Sequence, residues 1–222
     1  MKSDEAFYHK RLYEHVLAFP IRVFLRLVVA LCFGIWGVEN RSSGLSGNFI
    51  CVANHKSHLE TGLIMTILIW KSFQIRVLAA KDHFFKGHVF GTWFRCLVYN
   101  TCPLDRYTDK ALEALDLPLK ALVEWELSLL VYPSGSRKAT TFKSGFAYLA
   151  RESGRPVVPI AHVGTGRVWP PGRWYFVPGP VRIIIGEPLS IGSGGRIRVF
   201  TQRVEAAVNA LLAELSVEKT AG

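Results

Sequence analysis

Three stretches of this chain carry residue types at spacings that could do chemistry. The first is Asn54-His55-Lys56-Ser57-His58-Leu59-Glu60, directly after the apolar run Asn48–Ala53. An imidazole and a carboxylate five residues apart are about 140° out of phase on a helix and on opposite faces of a strand. They meet only if the chain turns between them. Ser57 and Glu60 supply a reason for a turn, because Ser-x-x-Glu is a capping box with Ser57 as N-cap. His55 then sits in a loop and Glu60 in the first helical turn. Two readings fit. In one, Glu60 holds His55 in a single tautomer and leaves its other nitrogen to act as general base. In the other, Glu60 only caps the helix, and His55 and His58 are ordinary loop residues. A zinc site at His55, His58 and Glu60 has no fourth ligand nearby.

The second stretch is Tyr132-Pro133-Ser134-Gly135-Ser136-Arg137-Lys138, followed by Phe142-Lys143-Ser144-Gly145. Backbone N–H groups of a tight turn at Gly135 and Ser136, with Arg137 and Lys143 close by, suit a phosphate. The spacing is not that of a P-loop. A solvated basic loop is the plainer alternative. The third is Pro103-Leu104-Asp105-Arg106, where Arg106 either clamps a phosphate or pairs with Asp105.

These groups need elements to hold them. Apolar runs predict strands at 48–53, 75–80, 96–99, 128–132 and 156–161, with 174–177 and 181–185 pairing around a Pro-Gly-Pro turn. Helical spacing is read over 59–70, 143–153 and 198–215, the second closed by Gly154. Residues 108–126 also show it, but Pro118 fits two helices, the second opened by the proline. Strands alternating with helices give an α/β class, a mixed and largely parallel sheet flanked by helices. Residues 3–38 read as helical. The uncharged run Leu27–Val38 is too short for the roughly 18–20 residues of a bilayer span. Phe19–Val38 reads either as a basic-edged helix lying in a membrane interface or as a buried core helix. The expected organisation is therefore a helical, membrane-associating segment over 1–40 and an α/β domain over 41–222.

Hydrophobic residues make up 50% of the 222 residues and charged residues 20%, which excludes a disordered chain. The net charge is +10, and residues 132–182 carry eight basic side chains against Glu152 alone. An anionic partner is expected. Nucleic acid is not, because no helix-turn-helix, RNP-like aromatic pair or zinc spacing accompanies the charge. Cys32, Cys51, Cys96 and Cys102 show no CxxC or metal spacing and read as buried, reduced thiols.

Together the blocks resemble the glycerolipid acyltransferases, the lysophosphatidate acyltransferase-like enzymes. Asn54-His55 with Glu60 is similar to their first motif, in which the acid is usually Asp. Arg106 fits the arginine of the second. Tyr132-Pro133-Ser134-Gly135-Ser136-Arg137 resembles the third, with Ser134 where a Glu is usual. Val157-Val158-Pro159-Ile160 resembles the fourth. The order and spacing agree over roughly residues 48–189. The resemblance implies transfer of a fatty acyl group from acyl-CoA or acyl carrier protein to the hydroxyl of a lysophospholipid or related glycerophosphate-type acceptor. It makes His55 and Glu60 the catalytic dyad, and Arg106, Gly135, Ser136, Arg137 and Lys143 the holders of the acceptor phosphate. No metal or redox cofactor is implied. The membrane phospholipid surface becomes the partner and the cytoplasmic face of a membrane the location, reached peripherally or monotopically through the N-terminal helices. A catalytically inactive, lipid-binding relative on the same scaffold is the alternative.

Overall fold

Ile50-Cys51-Val52-Ala53 forms strand β2, and all four residues are buried. A strand apolar on both faces must be covered on both, and this dictates the layers of the computed structural model. That structure describes residues 35–43, 45–57, 59–68, 75–80, 101–104, 112–136, 139, 141–170, 173, 175 and 177–217, with 20, 23, 24 and 27 before them. Successive side chains of β2 point to opposite faces. Cys51 and Ala53 pack with Leu59, Leu63, Ile64 and Met65 of helix α1 (Leu59–Ile67). Ile50 and Val52 pack with Leu122 of α2 (Glu113–Val123), Phe146 of α3 (Gly145–Ser153) and Val204 of α5 (Ile197–Val217).

The other strands are β1 (Ile35–Asn40), β3 (Ile75–Ala80), β4 (Thr101–Leu104), β5 (Ser128–Val131), β6 (Val157–Val163) and β7 (Val181–Ile185). They form one sheet in the order β1-β7-β6-β2-β5-β3-β4. Strands β2 to β6 run parallel to one another, and β7 is antiparallel to β6. The expected mixed α/β sheet flanked by helices is what the chain forms. A short helix α4 (Thr165–Val168) follows β6. The carboxyl ends of β2, β5 and β6 lie side by side, with Val52 level with Val131 and Ala53 level with Ile160. Loops leaving adjacent parallel strands at that edge converge, which is where sites form in α/β sheets.

Three local expectations need correction. Residues 35–40 are not the end of a helix but an edge strand paired with β7, so the sheet begins inside the segment set apart as 1–40. Gly37 disfavours a helix there, and β7 has an open edge to offer. The proposed pairing of 174–177 with 181–185 does not form, because β6 and β1 occupy both edges of β7. The strand expected at 96–99 lies outside the described residues, and β3 is joined on that side by Thr101–Leu104. That strand, β4, contains Pro103 and sits at the sheet edge, where a missing N–H is tolerated. Lastly, α2 runs through the buried Pro118 as one helix, its inner face held by Ala121 and Leu122. Residues 3–34 lie largely outside the described residues. No described helix is long and apolar enough to cross a membrane.

Candidate active site

The site starts where β2 runs out. Asn54, still buried, binds across to the neighbouring strand: its Nδ2 donates to the His162 carbonyl at 3.0 Å, and its Oδ1 accepts the His162 N–H at 3.0 Å. Its side chain thus continues the β2–β6 ladder after the backbone has left it. The chain then turns. Ser57 Oγ accepts the Leu59 N–H at 3.2 Å, and Glu60 accepts the Ser57 N–H at 2.8 Å, which is the reciprocal pattern of a capping box. Ser57 Oγ also donates to the Trp169 carbonyl at 2.6 Å, tying the loop to the end of α4.

That turn brings His55 and Glu60 together. His55 Nδ1 is hydrogen-bonded to Glu60 Oε1. Glu60 is fully buried and also accepts the Lys56 N–H at 3.0 and 3.1 Å. A buried carboxylate is expensive unless its oxygens are paired, and here backbone N–H groups and an imidazole pair them. The two sequence readings are therefore not alternatives, since one carboxylate caps the helix and holds the imidazole. A carboxylate accepts, so Nδ1 carries the hydrogen of this bond, and in the neutral ring Nε2 is the nitrogen with the lone pair. The His55 side chain is 22% exposed, enough for a substrate to reach the ring. Its face stacks on Tyr132 at 4.4 Å between centroids and 24° between planes. Tyr132 Oη is 2.8 Å from Thr61 Oγ1.

Tyr132 leaves β5 and opens the Pro133–Ser136 turn. Gly135 has a left-handed φ of 68°, which a side chain would strain. The turn is closed by the Gly135 N–H donating to the Tyr132 carbonyl at 3.0 Å and by Ser134 Oγ donating to the Ser136 carbonyl at 3.0 Å. Lys143 is pinned by its N–H to the Pro133 carbonyl at 3.0 Å, and its ammonium lies over Gly135. Beyond this rim lies a mostly apolar cavity of about 440 Å³. Leu78, Leu104, Val131, Leu149 and Ile197 line it together with Tyr132, Gly135 and Lys143.

The structure thus places His55 against Glu60, and Gly135 against Lys143, with Tyr132 joining the two groups. Ser136 is in the same turn, where its Oγ accepts the Ala139 N–H at 3.1 Å. Arg106, Arg137 and His58 lie outside the described residues. Among those described, no group of three or more His, Cys, Asp or Glu could hold a metal ion.

Comparison with known proteins now bears on the geometry. The model of the acyltransferase family matches residues 35–163, more than half of the chain. The chain belongs to the acyltransferase family. The match begins with β1, the strand that the sequence reading left outside the domain. Relatives within the family include the 1-acyl-sn-glycerol-3-phosphate acyltransferase of Pseudomonas aeruginosa, 37% identical over 40% of this chain and 36% of that protein. The enzyme of the same name from Bacillus subtilis is 24% identical over 74% of this chain and 78% of its own. A crystal structure of the 1-acyl-sn-glycerophosphate acyltransferase PlsC from Thermotoga maritima shares the fold, with a TM-score of 0.68. It is 24% identical and covers 95% of this chain and 86% of that one. The matched stretch spans less than half the length of the first curated relatives, 36% in one and 42% in another.

Two members of the site were not singled out from the sequence: Tyr132 as a stacking partner, and His162. Their signals were weak. Tyr132 was visible only as the first residue of its motif. His162 is the one polar residue in the run Val157–Val163.

Proposed function

We propose that this chain is an O-acyltransferase that moves a fatty acyl group from acyl-CoA or acyl carrier protein to the hydroxyl of a lysophospholipid or related glycerophosphate-type acceptor. The observation that carries the reading is the His55–Glu60 hydrogen bond, which favours the neutral tautomer with its hydrogen on Nδ1 and Nε2 unprotonated. Nε2 takes the proton of the acceptor hydroxyl as its oxygen attacks the thioester carbonyl. The tetrahedral adduct collapses, the C–S bond breaks, and the departing thiolate takes the proton from the imidazolium. Glu60 orients the ring and stabilises its transient charge, and the Tyr132 face limits its rotation.

Lys143 beside the Gly135–Ser136 turn, with Arg106 and Arg137, holds the acceptor phosphate. The apolar cavity suits an acyl chain, and its lining includes Tyr132, which stacks on His55. Both substrates are amphiphiles, so the enzyme works at the cytoplasmic face of a membrane. Tyr175 and Val177 are exposed, and the Arg173 guanidinium lies 5.5 Å from the Tyr175 ring centroid, an aromatic and basic pairing suited to headgroups.

The test is mass spectrometry of the lipids that purified protein forms from labelled acyl donors and a panel of lysolipids. Positioned general-base catalysis supplies about 10²–10⁴-fold, so His55→Ala should lose at least ~100-fold in kcat while keeping its fold. A near-wild-type rate in that variant refutes the assignment. If no donor and acceptor pair reacts with the wild-type protein, the chain is a lipid-binding relative without activity.

A further inference from the structure

On the far side of Glu60 from His55 lies a buried polar group that the acyl-transfer step leaves unused. His162 is 1% exposed. Its Nε2 stands 2.7 Å from the Asn54 carbonyl oxygen and 3.3 Å from Glu60 Oε2. A carbonyl oxygen only accepts, so Nε2 carries hydrogen. Burial pushes the His162 pKa down, against the opposing pull of the Glu60 charge, and the ring is neutral. Nδ1 is then an acceptor, and Thr165 Oγ1 stands 3.1 Å from it and 3.4 Å from Glu60 Oε2. Each ring nitrogen thus has a polar partner.

The contacts of this ring are not those of an ordinary core residue. Its neighbours Ile160, Ala161 and Val163 are apolar, and a fully buried strand normally continues that way. His162 instead makes three hydrogen bonds with Asn54, the residue whose peptide carries His55. The same N–H faces the oxygen of Glu60 that does not bind His55. The dyad comes from the two ends of a short turn, so its geometry depends on both ends being fixed to something rigid. Strand β6 is that support.

We propose that His162 is a positioning residue for acyl transfer, whose Nε2–H grips the Asn54 carbonyl next to His55 and faces the Glu60 carboxylate that steers His55. This rests on the reading of His55 as general base. His162 touches no substrate. It sets where the imidazole stands and which nitrogen presents the lone pair.

The test compares two amides of different reach in the full chain. His162→Gln places an N–H about where Nε2–H stands, whereas His162→Asn carries the same group one carbon shorter. A misplaced catalytic group can cost up to about 10²-fold, so His162→Asn should lose about 10-fold or more in kcat with KM for both substrates unchanged. His162→Gln should stay within about 3-fold of wild type. Heteronuclear NMR of the imidazole nitrogens gives a readout apart from turnover. His55 should show one Nδ1–H tautomer in the wild type and in His162→Gln, and a mixture in His162→Asn. Equal kcat in the two variants, or unchanged His55 signals in His162→Asn, overturns the proposal. If His162→Asn does not fold, His162→Leu, an apolar side chain that removes the Nε2–H, decides. A folded His162→Leu with wild-type kcat and His55 signals overturns it, and a lower kcat at unchanged KM with mixed His55 tautomers supports it. His55→Ala assayed alongside separates the two readings: an inactive His55→Ala with equal Gln and Asn variants removes only the role of His162.

Discussion

At the scale of the residue, Glu60 carries two duties at once. It accepts the backbone N–H groups that open α1 and the imidazole N–H of His55. Glu60→Gln keeps the size but presents an NH₂ where two donors already point. Activity should fall by about 100-fold or more, because a carboxamide no longer holds the ring in the working tautomer. The thermal midpoint should fall as well, because buried N–H donors lose their acceptor. Steady-state kinetics and thermal unfolding on one preparation check both. A variant with wild-type kcat and a lowered midpoint would reduce Glu60 to a helix cap. Much of this pair was legible in the sequence, since spacing alone demanded a turn and Ser57 supplied it. What spacing did not show was that capping and steering are compatible. That needed a carboxylate whose Oε2 accepts the Lys56 and Ser57 N–H groups while Oε1 accepts the ring together with the Lys56 N–H.

At the scale of the element, the site depends on how β6 passes into α4. Gly164 makes that turn with φ of 93°, and a Cβ there would stand 2.1 Å from the Pro180 carbonyl oxygen. Its own carbonyl accepts the Arg167 and Val168 N–H groups that start α4. Gly164→Ala is therefore both strained and obstructed, and we expect a loss of about 2 kcal/mol or more in stability. Because Thr165 follows directly, kcat should drop too. Urea unfolding with parallel turnover measurements checks this, and a wild-type unfolding midpoint would count against the close approach. The elements themselves were mostly readable. β2, β3, β5, β6, α1, α3 and α5 are where apolar periodicity put them, and Gly154 closes α3 with φ of 68° as its position suggested. β4 and the continuous α2 contain Pro103 and Pro118, local breakers that tertiary pairing or packing overrides. In β1, Gly37 weakens the expected helix and pairing with β7 decides for a strand.

At the scale of the whole molecule, charge is the property that acts at a distance. The net charge of +10 favours an anionic surface, and each basic side chain near such a surface contributes about 1 kcal/mol. The protein should sediment with vesicles containing anionic phospholipid, and added salt should weaken the association. Arg173→Ala should loosen it by about 5-fold. Equal binding to neutral and anionic vesicles would sink this reading. On the proposed function, recognition and chemistry share one edge of the sheet. The loops after β2 and β5 and the end of β6 converge there, and the apolar cavity opens beside them.

The sequence by itself determined the α/β class, most of the strands and helices, and the residues with chemical potential, because periodicity, turn chemistry and side-chain type are local properties. It could not determine that His162 stands behind Glu60, since those residues are 102 positions apart in the chain and meet only through the parallel pairing of β2 with β6. Nor could it determine that Tyr132 stacks on His55, which follows from β5 lying on the other side of β2. Strand order is decided by the packing of two buried faces and the exclusion of open edges. Those are free energies of the folded whole, and no window of sequence contains them.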